Sequence, residues 1–163
     1  MSIDYVAGMS IFLMAVAFVF QFMYGIFTPF QPGSDEITLA ADRASTILVE
    51  RLLVADNAGA MSVIDQGKLY YFNNIKLNHS NQTAYNSNLS ELGLFSPDAT
   101  SIFDINVSVA YKNGTLMNQT GLTNPGGPPL PENTDISQIR RLVLIVNSST
   151  GYNETAILSV RVW

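Results

Sequence analysis

Two kinds of residue in this sequence have the type and spacing to do chemistry. One is a single carboxylate, Asp4, set ahead of a long apolar run. The other is a set of asparagines in Asn-x-Ser/Thr triplets with no proline in the middle: Asn78, Asn81, Asn88, Asn106, Asn113, Asn118, Asn147 and Asn153. Such triplets are acceptors for N-linked glycans on exposed surface of exported proteins. The chain holds 14 Asn and 26 Ser plus Thr among 163 residues, so chance supplies about two triplets, not eight. All eight lie beyond residue 77, and they mark that part of the chain as a candidate glycosylated surface; any one of them alone also reads as an ordinary polar turn.

The residues of other chemistries are missing or isolated. No cysteine is present, which excludes disulfides, thiol catalysis and Cys-ligated zinc or iron–sulfur sites. His79 is the one histidine and sits inside a triplet, with no Gly-x-Ser-x-Gly pattern to support hydrolase chemistry. No calcium-loop or phosphate-cradling glycine pattern occurs. Neither an enzyme, a cofactor, a metal nor a small-molecule substrate is therefore expected. The net charge of −5 comes from 13 acids against 8 bases, with Arg140–Arg141 the only adjacent basic pair, which argues against nucleic acid as a partner.

The element that positions Asp4 is legible. The first 34 residues carry no other charge, and residues 5–27 are apolar apart from Ser10 and Gln21. About 20 apolar helical residues cross a hydrocarbon core. The apolar character runs all the way round, unlike an amphipathic surface helix. The helix is expected to end at Thr28-Pro29, with Gln31-Pro32-Gly33 as a second break. A cleaved secretory signal has a basic start, and an ordinary anchor has Lys or Arg on its cytoplasmic flank. Neither flank is basic, so a basic leader is expected to have preceded Met1. In the blander reading Asp4 complements the positive end of the helix dipole, and the run is a single-span anchor.

The stretch "MSIDYVAGMSIFL" resembles the start of a mature archaeal type IV pilin, in which Ser2, Asp4 and Tyr5 match the Ser, acid and aromatic of the family's opening. With the "ADRA" of Ala41–Ala44 and the ending Ser159–Trp163, the chain is similar to pilin-like proteins of haloarchaea and methanogens over roughly residues 1–55 and 140–163. The resemblance implies a prepilin peptidase acting on the precursor and a membrane-inserted stage. It then implies assembly into a helical homopolymer of identical subunits, a cell-surface filament whose glycosylated head is exposed for adhesion. On this reading the assembly residues are Asp4 and Tyr5, to which Gly8 is added as a small residue. There Asp4 would pair with the α-amine of a neighbouring subunit, and Gly8 would allow close helix approach. The Pro29–Gly33 break departs from the continuous stalk helix of that family. The alternative is a membrane-anchored accessory or stator-like surface protein that does not polymerise.

Beyond the break, Ser34 reads as an N-cap for an amphipathic helix over 34–57, whose apolar face is Ile37, Ala40, Ala41, Ala44, Ile47, Leu48 and Leu52. Residues 58–163 read as a β-rich head. A hairpin is expected from 61–64 and 69–75. A strand over 105–111 ends in an Asn113-Gly114 turn, Leu142–Val146 is apolar on both faces as in a central strand, and Leu158, Val160 and Val162 alternate with polar residues. Four of the seven prolines fall in 121–136, a stiff surface connection. The expected fold is α+β: a hydrophobic helix over 1–33, an amphipathic helix over 34–57 and an antiparallel sheet or sandwich over 58–163.

Overall fold

The apolar run forms α1, Ile3–Phe27, a continuous helix of 25 residues. The computed structural model describes residues 3–27, 32–56, 62–95, 103–119 and 121–163. Met1 and the expected break at Thr28, Pro29 and Gln31 lie outside the described residues. The chain divides into two compact units, Met1–Gly33 and Ser34–Trp163. Within α1, the Ile3–Met23 stretch is long and apolar enough to cross a membrane. Ser10 does not interrupt it, because its hydroxyl donates back to the Val6 carbonyl at 2.8 Å and leaves no open donor.

The next helix is α2, Pro32–Ile47. This helix opens two residues before the expected cap. Proline lacks an N–H and has a helical φ, so it suits the first helical position, and Ser34 falls inside the first turn. Ala40, Ala41, Ala44, Leu48 and Val49 are buried, the three- and four-residue steps of one apolar face. The helix does not run to residue 57. It widens into a π-helical turn, Leu48–Leu52, closed by the Leu53 N–H on the Leu48 carbonyl at 2.8 Å. Val54 then bridges Ile64 of β1, Val63–Asp65, flanked by Ala55 N–H to Val63 O (3.0 Å) and Asp65 N–H to Leu53 O (2.8 Å).

The hairpin expected over 61–75 is not formed. After β1 the chain turns into α3, Gln66–Tyr71, and a second π-helical turn, Phe72–Lys76. Asp65 causes this: its carboxylate accepts from the Lys68 N–H at 2.8 Å and caps the helix. The buried residues Leu69, Phe72, Asn73 and Leu77 then follow helical spacing, which overrides the β preference of Tyr70-Tyr71-Phe72. A further helix, α4, Gln82–Glu91, is capped by Asn81 on the Ala84 N–H at 3.2 Å and buries Tyr85 and Leu89.

β2 (Ile105–Tyr111), β3 (Ser137–Asn147) and β4 (Tyr152–Val162) complete one four-stranded sheet in the order β1-β3-β4-β2. β1 lies parallel to β3 and the other pairings are antiparallel, so the sheet is mixed and single, not an antiparallel sandwich. Its core face is built by Ile105, Val107 and Val109, by Val143 and Ile145, and by Ala156, Leu158, Val160 and Val162. β3 is internal as expected, but only one of its faces is closed: Leu142 is 63% and Leu144 37% exposed. The alternation of β3 also separates the arginine pair. Arg141 turns to α2, donating to Ser45 Oγ (2.9 Å), Thr46 Oγ1 (2.7 Å) and Asp42 (3.1 Å), and Arg140 is exposed on the other face.

The proline-rich connection is built into the sheet. Asn124 accepts from the Val109 N–H at 3.0 Å and donates to the Val109 carbonyl at 2.8 Å, and Gly126 bridges Val107. This segment closes the free edge of β2. Glycine is required there. Gly127 has φ +92°, and a Cβ on it would run into the Ile105 carbonyl oxygen, while one on Gly126 would meet Asn73 Cγ at 2.8 Å.

Candidate assembly helix and sequon sites

Helical geometry places residues i and i+4 on one face. Asp4, Gly8 and Phe12 are therefore stacked, and together with Tyr5 and Met9 they line a shallow concavity of about 400 Å³ on α1. The structure thus brings together Asp4, Tyr5 and Gly8. Nothing lies within 4 Å of where a Gly8 Cβ would be, so the notch is open to a side chain from outside the helix. Asp4 occupies the first turn, where a carboxylate complements the helix dipole. Every described side chain of Ile3–Met23 is exposed except that of Val16, which is half-buried, so α1 presents an apolar surface on all sides. That is an arrangement for lipid or for other apolar helices, not for water.

The eight triplets fall into two groups. Asn78, Asn81, Asn113, Asn118 and Asn153 are exposed. Three of these use only the side-chain oxygen, which accepts from the Ser80 N–H (3.0 Å), the Ala84 N–H (3.2 Å) and the Thr115 N–H (3.0 Å) respectively for Asn78, Asn81 and Asn113. Their amide nitrogens, the atoms that a glycan would modify, point no hydrogen bond at the protein among the described residues. In the second group the amide nitrogen is engaged. Asn88 donates to the Lys76 carbonyl at 2.8 Å, Asn147 to Gln66 Oε1 at 2.9 Å, and Asn106 to the Pro128 carbonyl at 3.0 Å. Asn106 is also buried, and its oxygen accepts from Arg161 at 3.2 Å. The sequence makes Asn106 a candidate acceptor, on the face of β2 opposite Ile105, Val107 and Val109. The proline-rich segment covers that face, so Asn106 is not an exposed acceptor in the folded head.

Arg161 donates further to Ser108 Oγ at 3.0 Å; partial burial, and then Arg140 nearby, lower its affinity for its proton. Tyr85 donates to Asp104 at 3.2 Å, and burial together with the Asp104 charge pushes its hydroxyl well above the ordinary tyrosine range. His79 is exposed beside Asn78, and no group of three metal-ligating side chains occurs among the described residues. A second concavity in the head was not foreseen from sequence. Its signal was Tyr70-Tyr71-Phe72, three aromatics that cannot all enter one core: Phe72 is buried and Tyr71 is exposed.

These features define an α+β protein with an N-terminal apolar helix of membrane-spanning length and a separate mixed-sheet head. The whole chain, residues 1–163, matches the family of unknown function DUF7287, and it belongs to that family. No curated protein and no solved structure matches it.

Proposed function

We propose that this chain is a structural subunit of a type IV pilus-like extracellular filament. It would be inserted in the membrane through α1, then packed through α1 against identical subunits, with the head exposed for adhesion and glycosylated. The observation that carries this reading is α1 itself. It is 25 residues long and, over Ile3–Met23, apolar and exposed apart from the half-buried Val16, with its one charge, Asp4, in the first turn beside an open notch at Gly8. A bundle of such helices would be dry. In it a carboxylate is stable only if paired, so pairing with the α-amine of a neighbour would select one register. The resemblance of the opening residues to archaeal pilins supports the same reading.

The experiment is to shear native cells, recover released filaments and fit the chain to cryo-electron microscopy density. A repeating subunit with residues 3–27 bundled at the axis is the expected result. Retention of the chain in the membrane fraction, with no filament containing it, would replace this reading by that of a membrane-anchored accessory protein. The length and composition of α1 suit a single-span anchor equally well.

A further inference from the structure

The head contains a cavity of about 480 Å³, within the range of small-molecule sites. Both π-helical turns contribute to its lining: Leu52 comes from the first, Phe72 and Lys76 from the second. π-turns are rare and recur at functional sites. Two of them contributing to one cavity is an observation independent of its size.

The lining chemistry narrows the ligand. Tyr71 lies against the cavity with 57% of its surface exposed, although Leu69 and Phe72 on either side of it in the helical register are buried. An open aromatic ring with a negative π-face attracts the weakly positive C–H groups of a flat apolar ring. Around it stand two cations and two carboxylates, Lys68 and Lys76 with Asp65 and Glu91, which balance in charge. Both ammonium groups are already held, Lys68 by Asp56 (2.7 Å) and the Val54 carbonyl (2.8 Å), Lys76 by Glu91 (3.1 Å). Neither ammonium is left unpaired to draw in an anion, and Asp65 remains as a carboxylate open to hydroxyl donors. What remains is a rim of alternating donors and acceptors. Exposed pairs of this kind contribute little by themselves, so they can share their hydrogen bonds with a ligand. Asp65 uses one oxygen to cap α3, which leaves the other.

A molecule that has an apolar ring face, hydroxyls that both donate and accept, and no charge satisfies all of these. We propose that this cavity is a binding site for a neutral hexopyranose unit, with Tyr71 as the stacking platform and Asp65, Lys68, Lys76 and Glu91 as partners for its hydroxyls. The inference concerns the head alone and stands whether or not the chain polymerises.

The test is saturation-transfer NMR on the full chain in lipid nanodiscs, free of sugar-based detergent, with the methyl pyranosides of glucose, mannose and galactose. At least one is expected to receive saturation on its ring C–H protons, with Kd on the order of 1 mM. Tyr71→Ala is expected to weaken it about tenfold, and Tyr71→Phe, which keeps the ring, to stay within about threefold. Melting curves confirm that both variants fold; the exposed ring makes little contribution to the core. Absence of transfer for all three sugars at about ten times that concentration would overturn the proposal. So would equal binding by Tyr71→Ala, or binding of benzyl alcohol with none of any pyranoside.

Discussion

Asn106→Gln separates the acceptor role that the sequence suggests for Asn106 from the buried hydrogen-bonding role that the structure shows. Asn106 is 2% exposed, and both ends of its amide are used, by the Pro128 carbonyl at 3.0 Å and Arg161 at 3.2 Å. Glutamine adds a methylene to a closed site and carries the amide past both partners. Overpacking of this size costs about 1–3 kcal/mol. Loss of a neutral hydrogen bond and one to a charged group adds about 1 kcal/mol or more each, with Arg161 left short of a partner. The sum is roughly 3–4 kcal/mol, which for a head of this size lowers the melting temperature by about 10 °C. Asn113→Gln is the matched control. Asn113 sits on an exposed turn, where its oxygen accepts from the N–H and the hydroxyl of Thr115, so a loss within about 1 kcal/mol is expected. Thermal melts by circular dichroism measure the first effect. Glycopeptide mass spectrometry of the native protein measures the second, and is expected to find glycan confined to Asn78, Asn81, Asn113, Asn118 and Asn153. A glycan on Asn106, Asn88 or Asn147, or a melting temperature for Asn106→Gln equal to that of Asn113→Gln, would refute the assignment of buried and engaged amides.

Three further predictions concern Asp4, Gly127 and Tyr85. Asp4→Ala is expected to insert in the membrane normally but to reach sheared filaments at least about a hundredfold less, since an unpaired buried partner charge costs roughly 3–5 kcal/mol; immunoblots of the membrane and filament fractions report this, and normal incorporation would remove the pairing idea. Gly127→Ala is expected to destabilise by about 3 kcal/mol, because strain at φ +92° is joined by collision with the Ile105 carbonyl, whereas Gly114→Ala, at φ +86° with open space, loses only about 1–2 kcal/mol; equal melting temperatures for the two would refute the collision. The raised pKa of Tyr85 means that the unfolded chain loses this proton first, from about pH 10, so the stabilisation is complete below that pH and falls by up to about 1.4 kcal/mol per pH unit above it. Tyr85→Phe lacks this component, and its stability profile above pH 10 should be flatter than that of the wild type; parallel profiles would count against the burial argument.

Much of the fold was legible because it rests on local periodicity. The apolar run of α1, the small-residue face of α2, the alternation of β2 and β4 and the Asn113-Gly114 turn each follow from spacing within about twenty residues. The turn closes as its residues dictate, with the Gly114 N–H on the Tyr111 carbonyl at 2.9 Å and Met117 returning to pair with Val109 at 2.9 Å. The errors fall where one local preference competes with another. Tyr70-Tyr71-Phe72 favours a strand by propensity, and Asp65 as a cap with Leu69, Phe72 and Leu77 as a helical face outweighs it. The π-turn at Leu48–Leu52 leaves no sequence signal, since it results from redirecting the chain toward β1.

The sequence by itself determined that this chain has a membrane-length apolar helix with one carboxylate at its start, a second helix, a strand-rich remainder and eight glycan-type triplets. Those are properties of residue type and spacing, which no distant contact alters. Only the tertiary structure decided which triplets keep a free amide, because that depends on segments far apart in the chain: Pro128 reaching Asn106, Gln66 reaching Asn147, Lys76 reaching Asn88. It also decided that β1 joins β3 in parallel, that one face of β3 is left open, and that residues of two π-turns line an open cavity together with Tyr71. Burial of a polar group is a property of everything packed around it, and the residues that engage the triplet amides lie up to 81 positions away.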